Sequence, residues 1–153
     1  MQPWKQQLKL RTGWSDEVVN AIRSEEEALV YEKARLVEAK VGGKTALVQP
    51  HIDADYQMPE WWIKKHGEGW RGWSNADLMG EGYPAHDANG DPYELHHIGQ
   101  DPFSPLAELT ADQHRSDGNF AVLHSFNESK IDREYFDKEV KRNYWMARYK
   151  MLK

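Results

Sequence analysis

Two adjacent histidines, His96 and His97, stand in the run Tyr93-Glu94-Leu95-His96-His97-Ile98-Gly99-Gln100. Neighbouring residues on a strand point to opposite faces, so the pair cannot be two ligands in one flat row. Either one ring is buried and the other solvated, or the strand ends in a bend that turns both towards one site. Four of the seven histidines, His96, His97, His114 and His124, fall between positions 96 and 124. Imidazole suits zinc and other first-row transition ions. A histidine at a strand end and another on the following helix can therefore share one ion. The duplicated residue then has a task of its own: one ring grips metal while its neighbour takes a proton from water near neutral pH. A buried histidine bonded to backbone is the bland alternative for any one of them, and for His124 it stays open. His51, His66 and His86 lie outside the cluster and receive no role.

These side chains need elements to hold them. Asn89-Gly90 is a favoured hairpin dipeptide, Tyr93, Leu95 and His97 alternate after it, and Pro92 suits an edge or first strand position. Thr110 is a good N-cap for a short helix carrying Asp112, His114 and Arg115, and Ser116-Asp117-Gly118-Asn119 breaks that helix. Upstream, Ser15 with Asp16 and Glu17 marks one helix start. Ser24 followed by Glu25, Glu26 and Glu27 is a capping-box pattern that opens a second helix running to about Lys33. The alternation of Val37, Ala39 and Val41, the pair Gly42-Gly43 and the run "KTALV" predict a hairpin that Pro50 ends. Residues 51–86 read as mostly loop, with a short helix near 75–79. Trp61, Trp62, Trp70 and Trp73 there read as core filling, with stacking on bases as the other use. Ile131, Tyr135, Val140, Tyr144, Ala147 and Met151 predict one long helix from about Asp132 to Leu152.

The totals narrow the classes. A chain of 153 residues can build one domain with a real core. Cysteine is absent, which excludes disulfides and thiolate zinc sites, so a metal must be held by His, Asp, Glu, Asn or backbone. No run approaches the ~18 apolar residues of a membrane-spanning helix, and "MQPWKQQLKLRTGW" lacks the apolar region of a cleavable signal peptide. The net charge of −5 argues against binding nucleic acid over the whole surface. Between Lys130 and Lys153, however, eight basic side chains face four acidic ones, a local +4. That tail is either a phosphate-binding surface or a solvated helix face.

The run "ELHHIGQ…SPLAELT…QHR…GN…LH" over residues 94–124 resembles the LHH group of the HNH/endonuclease VII superfamily, nuclease toxins at the C-termini of bacterial polymorphic toxin proteins. The flanking segments "LRTGWSDEVV", "GKTALV" and "DANGDP" are similar to what precedes the motif in such toxins. The resemblance implies an α+β fold: a ββα-metal finger nuclease core with N-terminal helices and hairpin and a C-terminal helix. The hairpin at Asn89-Gly90 and the helix capped by Thr110 are the expected parts of that finger. By position, His96 and His114 are implied as metal ligands and His97 as the general base that activates water. The third ligand is His124, with Asn119 as the alternative. Arg115 is expected to hold a phosphate oxygen, or else to pair with Glu108 or Asp112, and Gln100 to orient a ligand or the base.

The expected protein is thus a single domain over 1–153, with scaffold at 1–50, Trp/Gly-rich loops at 51–86, the metal core at 87–128 and the terminal helix at 130–153. Its expected activity is that of an HNH-type endonuclease using one divalent ion (Zn, Mg, Ni or Mn) to hydrolyse phosphodiester bonds, with DNA expected before RNA. As a toxin it would meet a cognate immunity protein, and it would be secreted or delivered into a target-cell cytoplasm as part of a larger chain, without membrane insertion. The competing readings are a non-catalytic His-ligated metal or binding module and a housekeeping or phage nuclease of the same superfamily.

Overall fold

Ser15 and Ser24 act as the caps their positions imply. Ser15 Oγ accepts from the Val18 amide at 3.4 Å and Ser24 Oγ from the Glu27 amide at 3.0 Å, starting helices α2 (Asp16–Ala21) and α3 (Glu25–Lys33). The return half of the Ser24 box is displaced by one residue, since Glu27 Oε1 accepts from the Arg23 amide at 2.8 Å. A helix not expected from the sequence, α1 (Pro3–Thr12), precedes them. It buries only Leu8, so it carries no apolar stripe to betray it. Gly13 ends it with φ 76°, a conformation that glycine adopts without penalty.

The computed structural model describes residues 1–115, 118–123 and 139–152. They form a mixed α+β protein grouped into two compact units, Met1–Pro50 with Glu94–Asp132, and His51–Tyr93 with Arg133–Lys153.

In the first unit β1 (Val37–Val41) and β2 (Lys44–Val48) pair antiparallel around Gly42-Gly43, as expected. Both glycines have positive φ, 59° and 79°, as a tight two-residue hairpin turn requires. This hairpin then joins the histidine strand in one sheet. Strand β3 (Glu94–His97) pairs antiparallel with β4 (Leu106–Leu109), and β4 pairs parallel with β2, giving the order β1-β2-β4-β3. Two helices follow β4, named here by chain order after those of the second unit: α6 (Ala111–Arg115) and α7 (Asn119–Leu123). Leu8, Trp14, Val19, Ile22 and Tyr31 pack with Leu47, Ile98, Ala107, Leu109 and Leu123 into one apolar core.

The strand pair of the finger is therefore not the hairpin at Asn89-Gly90. That dipeptide forms a local turn in the second unit, where the Gly90 amide donates to the Asp87 carbonyl at 2.9 Å and only one bridge, His86 to Pro92, follows it. The β3–β4 turn instead uses Gly99 at φ 67° and Gln100 at φ 56°, and is closed by the Ile98 amide on the Pro105 carbonyl at 3.1 Å.

The second unit holds α4 (Glu60–His66), a single 3₁₀ turn (Glu68–Trp70), α5 (Asn75–Gly80) and α8 (Lys141–Met151). Helix α5 starts on a full Ser74–Asp77 capping box, where the sequence places it. Helix α4 replaces the loop expected there; its N-cap is Pro59, which makes no side-chain cap bond. Met58, Ile63 and Leu78 form a small core against which Tyr56, Trp62, Trp70 and Trp73 pack, so these tryptophans are filling. Trp61 stays nearly half exposed. The expected terminal helix is present from Lys141, and residues 132–138 of its expected span lie outside the described residues. Among the described residues no helix is long and apolar enough to cross a membrane.

Candidate active site

The pleat of β3 sorts its side chains. Glu94 and His96 share one face, Leu95 and His97 the other. Register places Glu94 opposite Leu109 and His96 opposite Ala107, and directly paired residues share a face. Glu94 and His96 therefore stand beside fully buried Ala107 and Leu109, at the rim of the core. His96, His97 and His114 are 5%, 7% and 9% exposed, so whatever chemistry they do is done in a largely dry setting.

Thr110 holds α6 in register more tightly than a simple cap would. Its Oγ1 accepts from the Gln113 amide at 3.0 Å, while Gln113 Oε1 accepts from the Thr110 amide at 2.9 Å. The same Gln113 oxygen accepts from Gln49 Nε2 at 2.9 Å, and Gln49 Nε2 also donates to the Glu108 carbonyl at 2.9 Å. A residue just past β2 thus ties α6 to β4. The reward of this network is the position of His114 in the last turn of α6. Its ring centroid lies 5.3 Å from that of His96, with the planes tilted by 55°.

Glu94 is the residue that sequence reasoning missed. Its Oε1 lies 2.5 Å from His114 Nδ1 and its Oε2 accepts from an Arg115 terminal nitrogen at 2.9 Å. Burial works against ionisation of Glu94, but the hydrogen bonds from His114 and Arg115 and the Arg115 charge outweigh it, holding the carboxyl below its ordinary range. A carboxylate at Nδ1 assigns the ring proton to that nitrogen and the lone pair to Nε2, the tautomer of a metal-ligating imidazole backed by a carboxylate. The available signal was spacing: Glu94 sits two residues before His96 and so shares its strand face.

The other expected residues fall as follows. His97 projects from the strand face opposite His96, so the structure brings His96 and His114 together but not the adjacent pair. Arg115 is bound to Glu94, neither to Glu108 nor to Asp112, and its side chain is 64% exposed. Asn119 Nδ2 donates to the Gln113 carbonyl at 2.8 Å, strapping the end of α6 to the start of α7. His124 lies outside the described residues. Among the described residues no group of three His, Asp or Glu side chains is set to hold an ion. The donors His96 and His114, the latter oriented by a carboxylate, fit a divalent ion as a pair of imidazoles.

An antiparallel strand pair leading into a helix, with one imidazole on the first strand facing another on the helix, is the frame of a ββα-metal nuclease. The chain belongs to the LHH family: a family model described as a nuclease of the HNH/ENDO VII superfamily with conserved LHH matches residues 74–151, and Leu95-His96-His97 lies within the match. No curated protein and no solved structure matches the chain.

Glu94→Gln keeps the shape of the side chain but removes the charge that fixes His114. Loss of such a partner weakens divalent-ion affinity by about 10- to 100-fold, measurable by titration calorimetry with Zn²⁺. An unchanged affinity would remove Glu94 from the site.

Proposed function

We propose that this chain is a metal-dependent endonuclease that hydrolyses phosphodiester bonds in DNA as the effector domain of a bacterial toxin. The observation that carries the nuclease chemistry is the buried His96–His114 pair with Glu94 behind His114. A divalent ion held by His96 and His114, with His124 or Asn119 as the third donor, would stabilise the charge that develops on the phosphate and on the leaving 3′ oxygen. His97 accepts the proton of the attacking water, a task suited to an imidazole near neutral pH. Arg115, held at one side by Glu94 and otherwise reaching solvent, binds a phosphate oxygen. Gln100, three residues beyond His97, orients the base. The basic residues Lys141, Arg142 and Lys150 of α8 supply the attraction for the nucleic-acid backbone that the acidic whole lacks. Support for the toxin role comes from the likeness of the flanking segments to those of polymorphic toxins. With it go delivery into a target cell and a cognate immunity protein.

The test is incubation of purified chain with plasmid DNA and with RNA, in Mg²⁺, Mn²⁺, Ni²⁺ or Zn²⁺, with and without a chelator. Nicking and linearisation of plasmid that stop on chelation are expected. Cleavage of RNA alone would overturn the DNA assignment, cleavage unaffected by chelator would overturn the metal, and no cleavage of either polymer would end the nuclease reading.

A further inference from the structure

Glu27 lies outside the residues matched by the family model, in a helix that the sequence presents as scaffold. Its carboxylate is nonetheless buried, 3% exposed, and reaches the loop that follows the histidine pair. Oε1 serves the local chain, accepting from the Arg23 amide. Oε2 accepts from the Tyr31 hydroxyl and, at 2.7 Å, from the Gly99 amide. Gly99 is two residues past His97 and sits at φ 67°, where a Cβ would stand 2.4 Å from the Ala21 carbonyl oxygen. Ile98, between them, is fully buried beside Ile22. The segment His97-Ile98-Gly99 is thus held from outside its own hairpin, by the end of α2 and by one carboxylate of α3.

A buried carboxylate is a poor stabiliser compared with an apolar side chain of the same size. What it does well is accept several N–H and O–H groups at fixed positions. Without it, the Gly99 amide would lose its acceptor and the turn would be free to shift. Because the backbone of that turn continues directly into β3, a shift there moves the imidazole of His97.

We propose that Glu27 is a positioning residue for the nuclease reaction, fixing through Gly99 the turn that sets His97; the inference rests on the nuclease reading above. Glu27→Met keeps the length of the side chain but removes both carboxylate oxygens, so the Gly99 amide loses this acceptor. Turnover (kcat) of plasmid cleavage is expected to fall about 10- to 100-fold, the scale set by small misplacements of a catalytic group, with KM unchanged. Tyr31→Phe leaves both amide bonds in place and is expected to keep the wild-type turnover. All rates are read well below each variant's melting temperature. In the wild-type chain the Gly99 amide is expected to exchange with solvent as slowly as core amides, a measurement that stands even if Glu27→Met fails to fold. Wild-type turnover in Glu27→Met, a rise in KM equal to the loss in kcat, or rapid exchange at Gly99 would each overturn the inference while leaving the nuclease reading intact. A wild-type chain that cuts neither DNA nor RNA would overturn both.

Discussion

Replacing His97 with alanine is expected to lower the turnover of DNA cleavage by about 10²- to 10⁴-fold, the usual contribution of a positioned general base, and to leave divalent-ion affinity unchanged. The two halves of that result come from one strand. His96 shares its face with Glu94 and meets His114, whereas His97 projects from the other face and takes no part in that pair. Removing it therefore takes away a proton acceptor without touching the donors. A loss of that size corresponds to roughly 3–5 kcal/mol of barrier, far beyond what repacking at a strand end would produce in an enzyme that remains folded. Single-turnover rates on supercoiled plasmid, with Zn²⁺ binding measured in parallel, separate the two effects. A variant that cuts at the wild-type rate would remove His97 from the chemistry and leave the superfamily assignment standing.

The second large effect is expected at His114. His114→Ala deletes one of the two buried imidazoles outright, so Zn²⁺ affinity falls by more than the 10- to 100-fold typical of losing only a ligand's hydrogen-bond partner, and cleavage falls with it. The substitution also leaves Glu94 with Arg115 as its remaining partner among those described above. Some of that carboxylate's cost of burial is then uncompensated, and a lower melting temperature accompanies the lost metal site. Calorimetric titration of wild type and variant with Zn²⁺ decides the matter. Equal affinities would show that His114 is a buried structural histidine.

Local signals in the chain were legible where a single residue type forces a conformation. Ser15, Ser24 and Thr110 each marked a helix start that the structure contains, and Gly42-Gly43 marked a hairpin. Leu95-His96-His97 carried the family. Besides α1, strand β4 and helix α4 were hidden because nothing local announces them. Strand β4 contains Glu108, a carboxylate that is fully buried and accepts from the Gln49 amide at 2.8 Å. Read alone, "LAEL" looks like the lead-in to a helix. Its strand character comes from partners on both sides, one of them nearly 60 positions away in sequence. Helix α4 starts behind Pro59 without a capping side chain and is dense in tryptophan, so propensity argued for loop where packing of its Ile63 with Met58 and Leu78 decided for helix. Glu94 was hidden for another reason: its two partners become neighbours only once β4 has turned α6 back over the strand.

The parallel pairing of β2 with β4 bears on how small the nuclease can be made. The matched residues, 74–151, contain β3, β4 and the helix of the finger, but not β2. A fragment cut to that length would leave the inner side of β4 an open border of N–H and C=O groups, the kind of border along which chains stick to one another. It would also strip Leu47 and the α2–α3 helices from Ala107, Leu109 and Ile98. The catalytic motif is therefore shorter than the smallest piece that can keep it in solution. An active minimal version has to begin ahead of the N-terminal hairpin.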